Sequence, residues 1–289
     1  MVKALEIVKE IQEKFNLIGR THELQKILLA RKVNKNILLE GDVGVGKTTL
    51  AKAVSSYFDT NFFRIDCSEE TLPHNLVGYW DPPLVISKGY NEDTYTYGPL
   101  ASAMVNGGCL FINEINRMPE STQNTLLTAL DENIIEIPKL KTIHAENSFF
   151  TIATLNPTAH IGVTALGEAI KDRFVWIELD YQSPKEEQLI IIQNANIKGD
   201  DAEKIAYISQ RIIQRTRDST YIRRGSSIRG AIDLAALMQS QNIESSKRWI
   251  ESAIMALYNK IELEDDTAKS KKEIIKDIVI AVLNKTDFQ

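Results

Sequence analysis

The chain has 289 residues, 43% of them hydrophobic and 25% charged, proportions of a folded globular protein rather than a disordered one. A net charge of −5 argues against a dedicated nucleic-acid binder, and no nucleic-acid partner is expected. Two cysteines cannot build a disulfide framework, and no apolar run reaches the about 18 residues that cross a bilayer, so a cytoplasmic protein without membrane association is expected.

Taken in chain order, Ala4, Val8, Ile11 and Phe15 recur at helical spacing. Interspersed Lys and Glu residues break any apolar run, so this is an amphipathic surface helix and not a secretory signal. Asn36–Glu40 reads as a buried strand, and Gly41-Asp42-Val43-Gly44-Val45-Gly46-Lys47-Thr48 follows it, the full pattern G-x4-G-K-[ST]. A helical pattern with Leu50, Ala53, Val54 and Tyr57 on one face comes next. The chemistry requires this order. Glycines let successive N–H groups curl around a phosphate, the helix N-terminus adds partial positive charge, and the lysine reaches the distal phosphates. Lys47 and Thr48 are therefore candidates to hold the β- and γ-phosphates and Mg²⁺.

Phe62–Asp66 is a second strand. Leu76–Gly98 is rich in Gly, Pro, Tyr and Asp and too long for a plain connection. Its Tyr79, Trp80, Tyr90, Tyr95 and Tyr97 could stack nucleobases, but without surplus Lys and Arg a packed loop or protein contact is favoured. Cys109–Asn113 is an apolar strand closed by Asn113-Glu114. A carboxylate there can orient and deprotonate an attacking water, which makes Glu114 the candidate base. Asn113 stands where a phosphate-loop NTPase carries the aspartate of the Mg²⁺ shell; the amide keeps an acceptor oxygen and loses the charge. Binding should survive that change, with slower hydrolysis.

Ile134–Glu146 reads as a hairpin around Pro138-Lys139, and Phe149–Thr154 and Phe174–Leu179 complete a set of five strands. Ser183-Pro184-Lys185-Glu186 is a capping box that opens a helix. Beyond it the pattern is helical, as in Ile205, Ile208 and Ile212, so an α/β domain over 1–182 and a smaller helical domain over 183–289 are expected. Cys67 and Cys109 read as buried thiols, and His22, His74, His144 and His160 share no metal-ligand spacing with them.

With Gly41–Thr48, the run Phe111-Ile112-Asn113-Glu114-Ile115-Asn116-Arg117 resembles the AAA+ ATPases, and in particular their MoxR-type, dynein-related branch. Gly98-Pro99-Leu100, Gln123 through Leu127, Ala153-Thr154-Leu155-Asn156-Pro157, Asp172-Arg173-Phe174 and Ser227-Ile228-Arg229 extend the similarity over roughly residues 16 to 240. It implies a P-loop NTPase fold: a parallel five-stranded sheet with flanking helices, plus a smaller all-helical lid. It further implies that Gly41 to Thr49 cradle ATP, that Thr48 and Asn113 face Mg²⁺, and that Ile18-Gly19-Arg20 packs on the adenine. Asn156 matches the polar sensor that positions water, Arg173 the arginine finger given to a neighbouring subunit, and Arg229 the lid sensor. For Arg117 two readings stay open, reach across a ring or pairing with Glu120. The segments at about 76–98 and 134–146 match the family's helix-two insertion and pre-sensor hairpin.

By the same resemblance the expected function is ATP hydrolysis by a homo-oligomeric ring, taken as a hexamer, that remodels a protein client. A von Willebrand A domain partner or a metalloenzyme client would go with it. The alternative is an ATP-gated scaffold with little turnover because of Asn113. A DNA-dependent motor is disfavoured by the acidic balance.

Overall fold

The computed structural model describes residues 2–157, 166–241 and 243–284. His160, one of the histidines considered for metal binding, lies outside them. The chain divides into two compact units, residues 1–180 and 181–289.

The first unit opens with α1 (Val2–Lys14), whose Val8 and Ile11 are buried, and α2 (Thr21–Lys32). Five parallel strands follow in chain order: β1 (Asn36–Glu40), β2 (Phe62–Asp66), β5 (Cys109–Asn113), β8 (Phe150–Leu155) and β9 (Phe174–Glu178). Three boundaries move by a residue: Phe149 and Leu179 fall just outside their strands and Leu155 joins β8. The spatial order is β2-β5-β8-β1-β9. Ile37, Leu38, Leu39, Leu110, Phe111, Ile112, Ile152 and Ala153 are all buried, which is why the central strands read as continuous apolar runs: helices cover both faces. The parallel register pairs Asp66 with Asn113 and Glu40 with Leu155, so the polar strand ends gather along one edge of the sheet.

The helix α3 (Lys47–Tyr57) packs through Leu50, Ala51, Ala53 and Val54. Tyr57, expected on that face, instead donates its hydroxyl to Glu10 of α1. The segment after β2 carries α4 (Pro73–Val77), a ribbon of β3 (Gly78–Trp80) and β4 (Tyr95–Tyr97), and α5 (Pro82–Lys88) between those strands. Its rings pack on one another, Trp80 lying edge-on to Tyr90 and Tyr95 at 4.9 Å each. After α6 (Pro99–Asn106), β5 and α7 (Glu120–Asp131), the antiparallel pair β6 (Ile134–Ile137) and β7 (Lys141–His144) reaches this cluster. Lys139 sits 4.1 Å from the Tyr90 ring centre, and Lys141 pairs with Glu92 at 2.5 Å. The short α8 (Glu168–Lys171) precedes β9.

The second unit is helical apart from one short antiparallel pair, β10 (Ile222–Arg224) with β11 (Glu262–Leu263). Its helices are α9 (Pro184–Ala195), α10 (Ala202–Arg217), α11 (Ile228–Met238), α12 (Ser246–Leu257) and α13 (Lys271–Leu283). Ser183 caps α9, and the Glu186 carboxylate accepts the Ser183 N–H at 2.9 Å in return. Ile191, Ile205, Ile208, Ile212, Leu234 and Trp249 form its core. A buried ion pair sits beside that core: Glu187 and Arg217 meet at 2.8 Å, and Gln210 donates to the same carboxylate at 3.1 Å. No helix among the described residues is long and apolar enough to cross a membrane.

Candidate functional site

The turn from Gly41 to Gly46 leaves the C-terminal end of β1 and enters α3. Its glycines are required by geometry. A Cβ on Gly41 would lie 2.1 Å from the Leu179 carbonyl oxygen, where the chain leaving β9 crosses, and Gly46 holds φ +93 at the helix cap. Val45 is buried and anchors the turn, Val43 projects from its tip, and Thr48 and Thr49 lie on the first turn of α3.

The Lys47 ammonium is 8% exposed and has folded onto the turn. It donates to the carbonyls of Gly41 at 2.5 Å and Asp42 at 3.0 Å, and to Asn156 Oδ1 at 2.7 Å. The other end of that amide, Asn156 Nδ2, donates to Glu114 Oε1 at 3.0 Å. Glu114 Oε2 in turn meets Arg117 at 3.2 Å. Of the two readings open for Arg117, pairing with Glu120 is not the contact seen: the guanidinium meets Glu114, three residues back on a 3-10 turn. Lys47, Asn156, Glu114 and Arg117 form one polar chain across the ends of β1, β8 and β5.

Glu114 adopts φ +56, a left-handed conformation that a side chain rarely takes without local support. The support is local: its N–H donates to the buried Thr154 hydroxyl at 2.9 Å, and that hydroxyl donates to Asn113 Oδ1 at 3.1 Å. Asn113 Nδ2 donates the other way, to Asp66 Oδ1 at 2.9 Å. Asp66 also takes a fork from Arg64, at 2.8 and 2.6 Å, and this bond, with that from Asn113, holds its carboxyl below the ordinary range.

Arg20 was legible only as part of a segment against the adenine, yet its side chain staples the phosphate turn. It donates to the Val45 carbonyl at 2.7 Å, to the Asp180 carbonyl at 2.8 Å and to Glu23 at 2.6 Å, and is 8% exposed. Gly19 beside it has φ +68 and accepts from Gln12 at 2.5 Å; Ile18 is half-buried. The Glu23 pair is local, three residues on, but no spacing rule marks the bonds to Val45 and Asp180, which lie 25 and 160 residues away.

One expected site residue, Arg173, is not gathered here, and another, Arg229, belongs to the second unit. Arg173 lies at the opposite end of the sheet, where Asn36 donates to its carbonyl at 3.3 Å and is followed by a five-residue strand. Five residues span roughly 16 Å, so Arg173 cannot reach the phosphate turn of its own chain. Its guanidinium is held by Asp131 at 2.8 and 2.6 Å and by the Ala169 carbonyl at 2.5 Å. Arg229 belongs to the first turn of α11 in the second unit, with Ser227 at the cap position and no side-chain cap bond.

Among the described residues no three His, Cys, Asp or Glu side chains cluster to hold a metal. Mg²⁺ in general keeps its waters and takes one or two protein oxygens plus substrate phosphates. The Thr48 hydroxyl, the Asn113 amide oxygen and the Glu114 carboxylate are oxygen donors of that kind. Cys67 and Cys109 are buried, and burial pushes the Cys67 thiol up to about 12 and Cys109 also upward, which disfavours the thiolate.

A sequence profile of the AAA domain, dynein-related subfamily, matches residues 36–174, from β1 to the start of β9. An uncharacterized protein of Staphylococcus aureus (strain USA300) is 31% identical over 241 residues, covering 80% of this chain and 91% of its own length. Among solved structures, a candidate ATPase from Cytophaga hutchinsonii aligns with a TM-score of 0.53 at 22% identity, over 96% of this chain and 95% of the other. A point mutant of Thermotoga maritima RuvB aligns with a TM-score of 0.50 at 20% identity, over 93% of this chain and 70% of the other. At such identities these structures speak for the fold alone.

Proposed function

We propose, from the match of residues 36–174 to the dynein-related AAA domain, that this chain binds ATP with Mg²⁺ at the Gly41–Thr49 turn and hydrolyses it to ADP and phosphate. The observation that carries this reading is the contact chain Lys47–Asn156–Glu114. It sets a buried ammonium, an amide and a carboxylate within hydrogen-bond reach of one another, at the mouth of a turn whose N–H groups suit phosphate. Lys47 exchanges the Gly41 and Asp42 carbonyls for phosphate oxygens. Asn156 then holds Glu114 and a water in line, and Glu114 takes the proton of that water. Mg²⁺, when bound, neutralises charge on the phosphate oxygens.

Several finer elements belong to the same proposal. Subunits assemble into a ring, a hexamer by resemblance, and Arg173 acts on the γ-phosphate of the neighbour. Its place at the far end of the sheet supports action in trans, and three of its five N–H groups are used at home, leaving two for phosphate. Arg229 senses nucleotide from the helical part. The chain works as a MoxR-type remodelling ATPase on a protein client, with a von Willebrand A domain protein as partner. Asn113 favours a second reading, a nucleotide-gated scaffold with slow turnover, since its amide carries no charge and is already engaged by Asp66 and Thr154.

A phosphate-release assay run beside a fluorescent ATP titration separates the two. Turnover that Glu114→Gln abolishes while binding persists supports the ATPase. Tight binding with release at background supports the scaffold, and no binding at all sinks both.

A further inference from the structure

The sheet order places β5 between β2 on one side and β8, then β1 with the phosphate turn, on the other. Asn113 at the end of β5 could present either end of its amide to that turn, and the two differ in sign: an oxygen attracts a cation and an N–H repels it. Both neighbours settle the orientation the same way. Thr154 of β8 donates to Oδ1 at 3.1 Å, and Asp66 of β2 accepts from Nδ2 at 2.9 Å. The oxygen is thereby turned to the phosphate-turn side and the nitrogen away from it.

Asp66 and Asn113 are register partners, so their backbones lie about 5 Å apart, one strand spacing, and the carboxylate sits 2.9 Å beyond the amide nitrogen. A phosphate-loop NTPase keeps a carboxylate at the end of the strand that Asn113 closes, as part of the metal shell. Resting on the ATP·Mg²⁺ reading above, we propose that Asp66 is a positioning residue that fixes the Asn113 amide and supplies, from the adjacent strand, the negative charge this amide lacks. Arg64 shares the carboxylate, but both side chains are substantially exposed, 39% and 59%, so solvent weakens that pairing.

The test measures the Mg²⁺ concentration that half-saturates the tightening of a fluorescent ATP analogue, with a parallel titration in EDTA. The wild type is compared with Asp66→Asn, Asn113→Asp, the double variant and Arg64→Ala. Asp66→Asn should raise the Mg²⁺ half-point on the order of tenfold, about the effect of 1.4 kcal/mol, and leave the EDTA affinity unchanged. Asn113→Asp in the same chain should restore it, and Arg64→Ala should not raise it. An unmoved half-point in Asp66→Asn, no rescue by Asn113→Asp, or an equal rise in Arg64→Ala would overturn the assignment. Failure of the wild type to bind the analogue in either arm would instead remove the nucleotide reading, and this inference with it.

Discussion

Replacing Arg20 with methionine should loosen the phosphate turn from outside the motif. The backbone at position 20 holds φ +63, equally awkward for arginine and methionine, so the change isolates the side chain. Arg20 makes three bonds, and the one to the Asp180 carbonyl lies in an exposed position where water can substitute. The bonds to the Val45 carbonyl and Glu23 are half-buried, and hydrogen bonds to a charged group contribute roughly 1.5–3 kcal/mol each. Against that sum of about 3–6 kcal/mol stands about 1–2 kcal/mol regained by burying the methionine. The net loss should be about 2–4 kcal/mol. For a unit of this size that is a fall of roughly 5–15 °C in Tm by calorimetry. Val45 sits inside the turn proposed to wrap the phosphates, so nucleotide affinity should also fall, on the order of tenfold in a fluorescent titration. Arg20→Lys should lie between, because an ammonium cannot span carbonyls and carboxylate as a fork does. An unshifted Tm together with unchanged affinity would refute the staple.

Other parts of the molecule carry their own tests. Asn156→Ala removes the link between Lys47 and Glu114, and kcat should fall on the order of 10–100-fold with KM little changed in steady-state assays. Glu187→Ala leaves Arg217, with only 10% of its side chain exposed, without its carboxylate. Urea unfolding should then register a loss of about 3 kcal/mol, much of it recovered in a double variant with Arg217→Met. The two thiols should resist a thiol-specific chromogenic reagent at pH 8 while the chain is folded and react fully in urea. Because folding retains protons that the unfolded thiols release above about pH 8.5, stability should decline as pH rises past that value. A fast-reacting native thiol would contradict this.

The parts visible in the amino-acid order were those whose cause is local. A strand, a turn of glycines and a helix are contiguous, so the Gly41–Thr48 site and the Ser183 capping box could be read directly, as could the strand ending in Glu114. What could not be read depends on strand order. Asp66 and Asn113 are 47 positions apart and meet only because β2 and β5 are neighbours. The Arg20–Val45 bond and the Asp131–Arg173 pair likewise cross long sequence distances, 25 and 42 positions. Arg117 shows the same limit at short range: both Glu114 and Glu120 are three residues away, and the left-handed backbone at Glu114 decided for the former.

The most direct trial of the whole account is a crystal structure grown with Mg²⁺ and a non-hydrolysable ATP analogue. The Lys47 ammonium should leave the carbonyls of Gly41 and Asp42 for the β- and γ-phosphate oxygens, with the N–H groups from Gly44 to Thr48 pointing at the β-phosphate. Triphosphate density elsewhere, with Lys47 still seated on those two carbonyls, would contradict it.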